Sequence, residues 1–326
     1  MTAFSMEEIE IEAQQQHGEV FPLVLACDGA AFDLAQAQGW VAKNKEGLLE
    51  KLSHHGALLF RGLPLGSDAD FDAVIQSFAL NNFTYAESLS NAVRRNRTER
   101  VFTANEAPPS VSIYLHHEMA QTPIYPSKLF FFCEQASESG GATPLCRSDI
   151  LLKELERVAP EFVADCREKG VRYSNVMPAS DDPESGQGRS WRSTLSTDSP
   201  TAAEDKLRKL GYEWQWQDGD SLRVTTAVLP AVRLTAGGRE VFFNQLIAAF
   251  RGWRDVRNSP EKSIRFGDDS EISSEAMARA IQLGDELSFD IPWQTGDMAL
   301  VDNFLVMHGR RPFTGQRRIL ASLIAG

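Results

Sequence analysis

Hydrophobic and polar positions first fall into a regular pattern at residues 44–55, where Leu48, Leu49 and Leu52 share one helical face and Gly56 stands ready to end the helix. The apolar run ALLFRG at 57–62 follows at once and predicts a buried strand. Ser67 and Asp70 have the spacing of a capping box, opening a helix that buries Phe71, Val74, Ile75 and Phe78. Strand-like runs at 111–118 and 128–134 are separated by proline turns, and helices are predicted over 149–158 and 161–169. Residues 178–220 are the least regular part, with the loop signal DDPESGQGRS, a helix over 202–210 and too few apolar residues for a separate core. This segment is expected to be an insertion acting as a lid. Strands over 222–234 and 240–244, a helix over 274–287 and closing strands at 288–291, 298–301 and 318–324 complete the chain. Residues 1–43 are weakly patterned and predict a peripheral segment. Strands dominate both flanks, which predicts a mainly β core, a sandwich or barrel with flanking helices, and not a parallel α/β sheet. No Pro/Gly/Ser linker divides the chain, so residues 1–326 are expected to form one domain.

Composition narrows the partners. A hydrophobic fraction of 42% with 24% charged residues excludes wholesale disorder and coiled coil. The net charge of −12 argues against a nucleic acid partner. No apolar run approaches the roughly 20 residues needed to cross a bilayer. The start, MTAFSMEEIEIEA, has neither an apolar signal region nor an arginine-rich transit character. Cys27, Cys133, Cys146 and Cys166 lie far apart without a CxxC pair, as reduced thiols do. A cytoplasmic enzyme acting on a small molecule, with no membrane partner, is the expectation.

The six histidines carry the candidate chemistry. A His-x-acid pair is weak by itself, since chance supplies about one in a chain of this composition. Two occur, His17–Glu19 and His116–Glu118, and only the second ends a strand-like run. On a strand, residues two apart share a face, so His116 and Glu118 project together and His117 points away. His308, in DNFLVMHGRRPF, is the natural third ligand. Two histidines and one carboxylate with open positions make the facial triad of non-haem iron(II) oxygenases. The competing reading is that these are surface or capped histidines. Arg318 bears on the choice. Alternation places Arg318, Leu320 and Ser322 on one face, and the small apolar Ile319, Ala321 and Leu323 on the other. If the apolar face packs outward against helices, the guanidinium turns inward and needs an anion, such as a dicarboxylate co-substrate on the iron. Otherwise Arg317 and Arg318 are an exposed pair on a solvated edge.

With these residues in hand, the chain resembles the taurine dioxygenase/clavaminate synthase-like (TauD/TfdA) family of Fe(II)/2-oxoglutarate oxygenases, most of all its plant clavaminate synthase-like members. HGALLFRGLPL, RVFTANEAPPSVSIYLHHEMA, PSKLFFFCE, GGATP, VDNFLVMHGRRPF and RRILASL carry the resemblance, in order along nearly the whole chain. It implies a double-stranded β-helix (jelly roll), iron held by His116, Glu118 and His308, and 2-oxoglutarate anchored by Arg318 with Thr143. It also implies O2 as co-substrate and the conversion of 2-oxoglutarate to succinate and CO2 as a substrate C–H is hydroxylated. Taurine dioxygenase places a sulfonate-binding arginine four residues after its 2-oxoglutarate arginine. Counted from Arg318, that position is Ser322, which argues against a sulfonate. Related halogenases replace the carboxylate ligand by a small residue, and Glu118 is present. Candidate substrate contacts are Tyr85, Arg94, Asn105, Tyr173, Arg192, Asn244 and Arg311; Trp191, Trp214, Trp216, Trp253 and Trp293 are expected to pack the core or lid. The arginines and the acidic groups of the lid favour a small polar substrate, amino-acid-like or bearing a carboxylate. A metal-dependent jelly-roll hydrolase or isomerase, and a binding protein that kept the fold, are the alternatives. Neither has a use for the Arg318–Thr143 pair in turnover.

Overall fold

The computed structural model describes residues 4–28, 32–84, 88–90, 94–104, 107–182, 188–253 and 263–326. Tyr85, Asn105 and the lid acid Glu184 lie outside them.

Two facing sheets position everything else. The larger has seven strands in the order Glu7–Ile9, Leu23–Ala26, Ala57–Arg61, Met298–Asp302, Lys128–Gln135, Arg318–Ile324, Phe102–Thr103. The smaller has four, Ser288–Ile291, Thr143–Arg147, Val306–Arg310 and Ile113–His116, all antiparallel. In the larger sheet one pair, Leu23–Ala26 with Ala57–Arg61, is parallel. Alternating side chains fill the space between the sheets: Leu59, Leu129, Phe131, Ala299 and Ile319 meet Leu145, Phe289, Ile291 and Val306 in one apolar cluster. The outer face of the large sheet buries Leu58, Phe60, Phe130, Phe132, Leu300 and Leu320 under the helices Leu34–His55 and Asp68–Ser77. The outer face of the small sheet, through Leu115, Cys146 and Met307, packs on Ser148–Val158, Leu246–Gly252 and Ser274–Glu286. The mainly β core with flanking helices is as the strand pattern predicts.

The N-terminal segment departs from the expected peripheral role. Leu23, Val24 and Leu25 are buried, and their strand is an internal member of the large sheet. The strand is only four residues long and follows Pro22 directly, which interrupts its alternation. The first helix likewise begins at Leu34 instead of residue 44, because Asp33 and Gln36 form a reciprocal capping box. It ends at Gly56 in the left-handed conformation (φ 80°), as the sequence predicts. Ser67 caps the next helix, its hydroxyl accepting from Asp70 N–H, while the Asp70 carboxylate receives Gly66 N–H instead of closing the box.

Residues 178–220 hold the helices Trp191–Leu195 and Pro200–Lys209 and the strand Glu213–Gln217. That strand joins Ser221–Thr225, Val171–Met177 and Ile264–Phe266 in a third antiparallel sheet. Trp191, Leu195, Ala203 and Leu207 bury themselves in the main inter-sheet cluster, which is how a segment too polar for its own core stays folded.

Candidate active site

The site is built where the small sheet meets a turn. His308 and His116 are direct cross-strand partners, their ring centroids 4.4 Å apart. A bulge follows immediately, between His308 and Arg310. Gly309 occupies it because a Cβ there would lie 2.4 Å from the Ile113 carbonyl oxygen. The strand bearing His116 ends at that residue, and Glu118 comes from the turn that follows. Asn303 fixes this turn: its Oδ1 accepts from Glu118 N–H at 2.7 Å, and its Nδ2 donates to the carbonyls of Glu118 and Pro126 at 3.0 and 2.8 Å. The Asn303 carbonyl also accepts from His117 Nδ1 at 2.5 Å, which turns that ring away from the site.

Glu118 Oε2 lies 3.5 Å from His308 Nε2 and 3.9 Å from His116 Nε2. One candidate ligand atom from each of the three residues falls within 4.8 Å of the others, the single such group among the described residues. Two donors on one ion at bond lengths of about 2.1 Å can stand up to about 4.2 Å apart, so both of these distances fit a single ion. The charge states suit a divalent cation. Burial, and then the charge of His308, push His116 down to about 4, so its imidazole is neutral. Burial alone would raise the Glu118 carboxyl, but Arg94 and the two histidines outweigh it and hold it well below the usual range. His116 Nδ1 donates to the Tyr114 carbonyl at 2.8 Å, which leaves Nε2 as the free donor. His308 has no such tether, since its Nδ1 is buried without a partner among the described residues; the Phe131 ring packs against it at 5.2 Å. Two imidazoles with one carboxylate are a donor set for iron(II).

A cavity of about 130 Å³ opens over this group, walled by residues from both sheets, including Phe131, Ile319 and Ala321. Thr143 and Arg317 line it together. Arg317 Nε donates to the Gly141 carbonyl at 2.8 Å, and its Nη2 reaches the Thr143 hydroxyl at 3.5 Å. Trp293 Nε1 donates to the same hydroxyl at 2.9 Å. Burial, and then the charge of Arg310, lower Arg317 to about 10. No carboxylate among the described residues pairs with it, so the cavity presents a desolvated cation that lacks an anion.

Arg318 does not occupy this position. Its side chain is 53% exposed and pairs with Glu134 at 2.8 Å, outside the cavity. The parity of the last strand is the reverse of the sequence reading: Arg317, Ile319 and Ala321 face the cavity, while Leu320 and Ile324 pack under the helices. The small Ala321 keeps space on the cavity wall, and Leu320 fills the helix-covered face. Counted from Arg317, the position four residues on is Ala321, on the cavity wall, whereas Ser322 is fully buried on the other face.

Of the described substrate candidates only Arg94 lines the cavity, where its Nη2 donates to Glu118 Oε1 at 2.8 Å. Tyr173 is buried behind the wall and accepts from Gln245 N–H at 3.1 Å. Asn244 lies just before the N-cap of the following helix, its Oδ1 accepting from Leu246 N–H and its Nδ2 donating to the Ala231 carbonyl. Arg192 pairs with Asp220 on the surface and lies over the Trp191 ring at 4.3 Å. Arg311 is held by Asp290 and Asp285, also outside. Conversely, Trp253 lines the cavity and Trp293 orients Thr143, so these two do more than pack the core. Gln121 and Gln245 escaped the sequence reading, as did Asn303. Gln121 directly follows the segment that holds His116 and Glu118, and Asn303 lies in the one that holds His308, but neither has a periodic or spacing signal of its own.

Two apposed sheets, a His–Glu–His group able to hold a metal ion and a nearby arginine without a carboxylate partner among the described residues suit a metal-dependent oxygenase that uses an anionic co-substrate. The comparisons with known proteins agree. The family profile for taurine catabolism dioxygenases, the TauD/TfdA family, matches residues 19–323. A clavaminate synthase-like protein of Arabidopsis thaliana is 37% identical over 95% of this chain and 96% of its own length. The dapdiamide synthesis protein DdaC of Enterobacter agglomerans is 31% identical, covering 84% of each. Among solved structures, a putative alpha-ketoglutarate-dependent taurine dioxygenase from Burkholderia xenovorans superposes with a TM-score of 0.55 at 14% identity, over 99% of this chain and 93% of that one, and so shares the fold. The chain belongs to the TauD/TfdA family of Fe(II)/2-oxoglutarate-dependent dioxygenases. Iron(II), 2-oxoglutarate and O2 are accordingly its cofactor and co-substrates, and the hydrolase, isomerase and non-catalytic alternatives fall away.

Proposed function

We propose that this dioxygenase hydroxylates a small polar metabolite, amino-acid-like or bearing a carboxylate, at an unactivated carbon. His116, Glu118 and His308 would hold the iron, and Arg317 with Thr143 would anchor the distal carboxylate of 2-oxoglutarate. When bound, the metal and co-substrate supply the oxidising power, with 2-oxoglutarate leaving as succinate and CO2. The protein's part is then to position and to exclude water. Asn303 and the Tyr114 carbonyl orient the ligands, Trp293 orients the Thr143 hydroxyl, and Phe131, Ile319 and Ala321 keep the pocket dry but open.

The observation that carries the substrate reading is Gln121. This residue lines the cavity, and its Oε1 is buried with no hydrogen-bond partner among the described residues. An unpaired buried acceptor costs about 1–3 kcal/mol, which a donor group on the substrate would offset. Gln245 and Arg94 on the same wall extend the polar surface. Ala321, standing where a sulfonate-binding arginine would be, supports a substrate other than a sulfonate. Residues 178–220 fit the role of a lid within the single catalytic unit: the buried Arg189 among them donates to the carbonyls of Ser88 and Ser90, and Ser90 lines the cavity. The four free thiols suit the expected cytoplasmic setting.

Substrate-dependent succinate formation tests this across amino acids, other carboxylates, sulfonates and neutral hydrophobic compounds. Coupling to a carboxylate or amino acid, weakened about five- to a hundredfold in Gln121→Leu, is the expected result. Coupling to neutral hydrophobic compounds alone would refute the substrate class and leave the dioxygenase assignment standing.

A further inference from the structure

The two oxygens of Glu118 have different neighbours. Oε2 faces the imidazoles, at 3.5 Å from His308 and 3.9 Å from His116. Oε1 is turned to Arg94, whose Nη2 donates to it at 2.8 Å. Both side chains are nearly out of solvent, at 9% and 5% exposure. This is the one hydrogen bond that the Arg94 side chain makes among the described residues; its Nε is buried without a partner, and the guanidinium otherwise lies over the Phe102 ring at 5.2 Å. A charge-assisted bond of this length in a dry site is a strong restraint on the oxygen that receives it.

Coordination number gives that restraint a consequence. An octahedral iron(II) bound by two histidines and a single carboxylate oxygen keeps three positions, two for the 2-oxo acid and one for O2. A carboxylate bound through both oxygens would take one of them. We propose that Arg94 is a positioning residue that confines Glu118 to metal ligation through Oε2, and so keeps open a position that the co-substrates need. The inference rests on the iron and 2-oxoglutarate reading above. It assigns Arg94 a role in the oxidative site itself, separate from any contact with the prime substrate.

The full-length protein, its Arg94→Leu and Arg94→Lys variants, and Fe(II) loaded without O2 provide the test. Iron stoichiometry and the dissociation constant of 2-oxoglutarate, read from the visible charge-transfer band of the ternary complex, are compared across the three. Arg94→Leu should keep its iron yet bind 2-oxoglutarate at least tenfold more weakly, with an altered band, and Arg94→Lys should recover much of both. A measurement on the unmutated chain guards against misfolding of the variants. The infrared difference spectrum between Mn(II)-loaded and metal-free protein, assigned with Glu118→Gln, should have the wide carboxylate splitting of one-oxygen ligation. Wild-type affinity and band in a folded Arg94→Leu protein, loss of its iron altogether, or a narrow two-oxygen splitting in the unmutated chain would each overturn the proposal. Absence of any band in the unmutated chain would instead overturn the underlying reading, and the inference with it.

Discussion

At the scale of single residues, the site depends on side chains that touch the ligands as much as on the ligands themselves. Asn303 contributes three side-chain hydrogen bonds that hold the Glu118 turn in place. At about 1 kcal/mol each, Asn303→Ala should lower stability by about 3 kcal/mol in denaturant unfolding and weaken iron affinity about tenfold or more. Thr143→Val removes the hydroxyl that Arg317 and Trp293 share, and should weaken 2-oxoglutarate binding by about 1–3 kcal/mol, measured by titration calorimetry, with iron binding unchanged. The three candidate ligands were legible in the sequence because His116 and Glu118 lie two apart at a strand end, and because DNFLVMHGRRPF supplied a third donor. Asn303 was not, although it lies five residues before His308. An asparagine that satisfies a distant turn leaves no periodic trace.

At the scale of elements, the last strand decides which side chains enter the cavity. Alternation was legible but parity was not, since parity depends on which face the helices cover. Ile319 and Ala321 look suited to helix packing by their apolar character, yet they form the wall that leaves room for ligand, and Leu320 lies under the helices. Two substitutions separate these faces. Leu320→Ala should cost about 2–5 kcal/mol of stability and leave 2-oxoglutarate affinity unchanged. Ala321→Leu should fold with nearly full stability but block the cavity and abolish ligand binding. Equal effects of the two on stability, with no effect of either on binding, would contradict this assignment of faces. The N-terminal strand was hidden for a related reason: a four-residue strand directly after Pro22 is too short for a periodic signal, and its place in a sheet comes from pairing with Glu7–Ile9 and Ala57–Arg61.

At the scale of the whole molecule, the two sheets and their helices must stay in register for one wall to face the other. Arg147 is a tie between layers: from the small sheet it chelates Asp149 at 2.8 and 2.6 Å and donates to the carbonyls of His54 and His55 at the end of the first helix. Burial alone would raise the Asp149 carboxyl, but the hydrogen bonds and charge of Arg147 outweigh it and hold it below its ordinary value. A depressed folded value contributes stability that is present above the unfolded pKa, near 3.9, and is lost as pH falls through the folded value. Asp149→Asn should therefore lower the melting temperature at neutral pH and flatten the acid side of its pH profile. Such a tie could not be foreseen from sequence, since its partners lie over ninety residues apart. The central claim is that the sheets bring Arg317 to a His116–Glu118–His308 iron site to hold 2-oxoglutarate. Anaerobic titration of 2-oxoglutarate into the Fe(II)-loaded protein, followed by its visible charge-transfer band in Arg317→Ala and Arg318→Ala, tests it most directly. The account predicts a band in all three, with affinity lowered at least about tenfold in Arg317→Ala and unchanged in Arg318→Ala. Lowered affinity in Arg318→Ala with wild-type affinity in Arg317→Ala would contradict it.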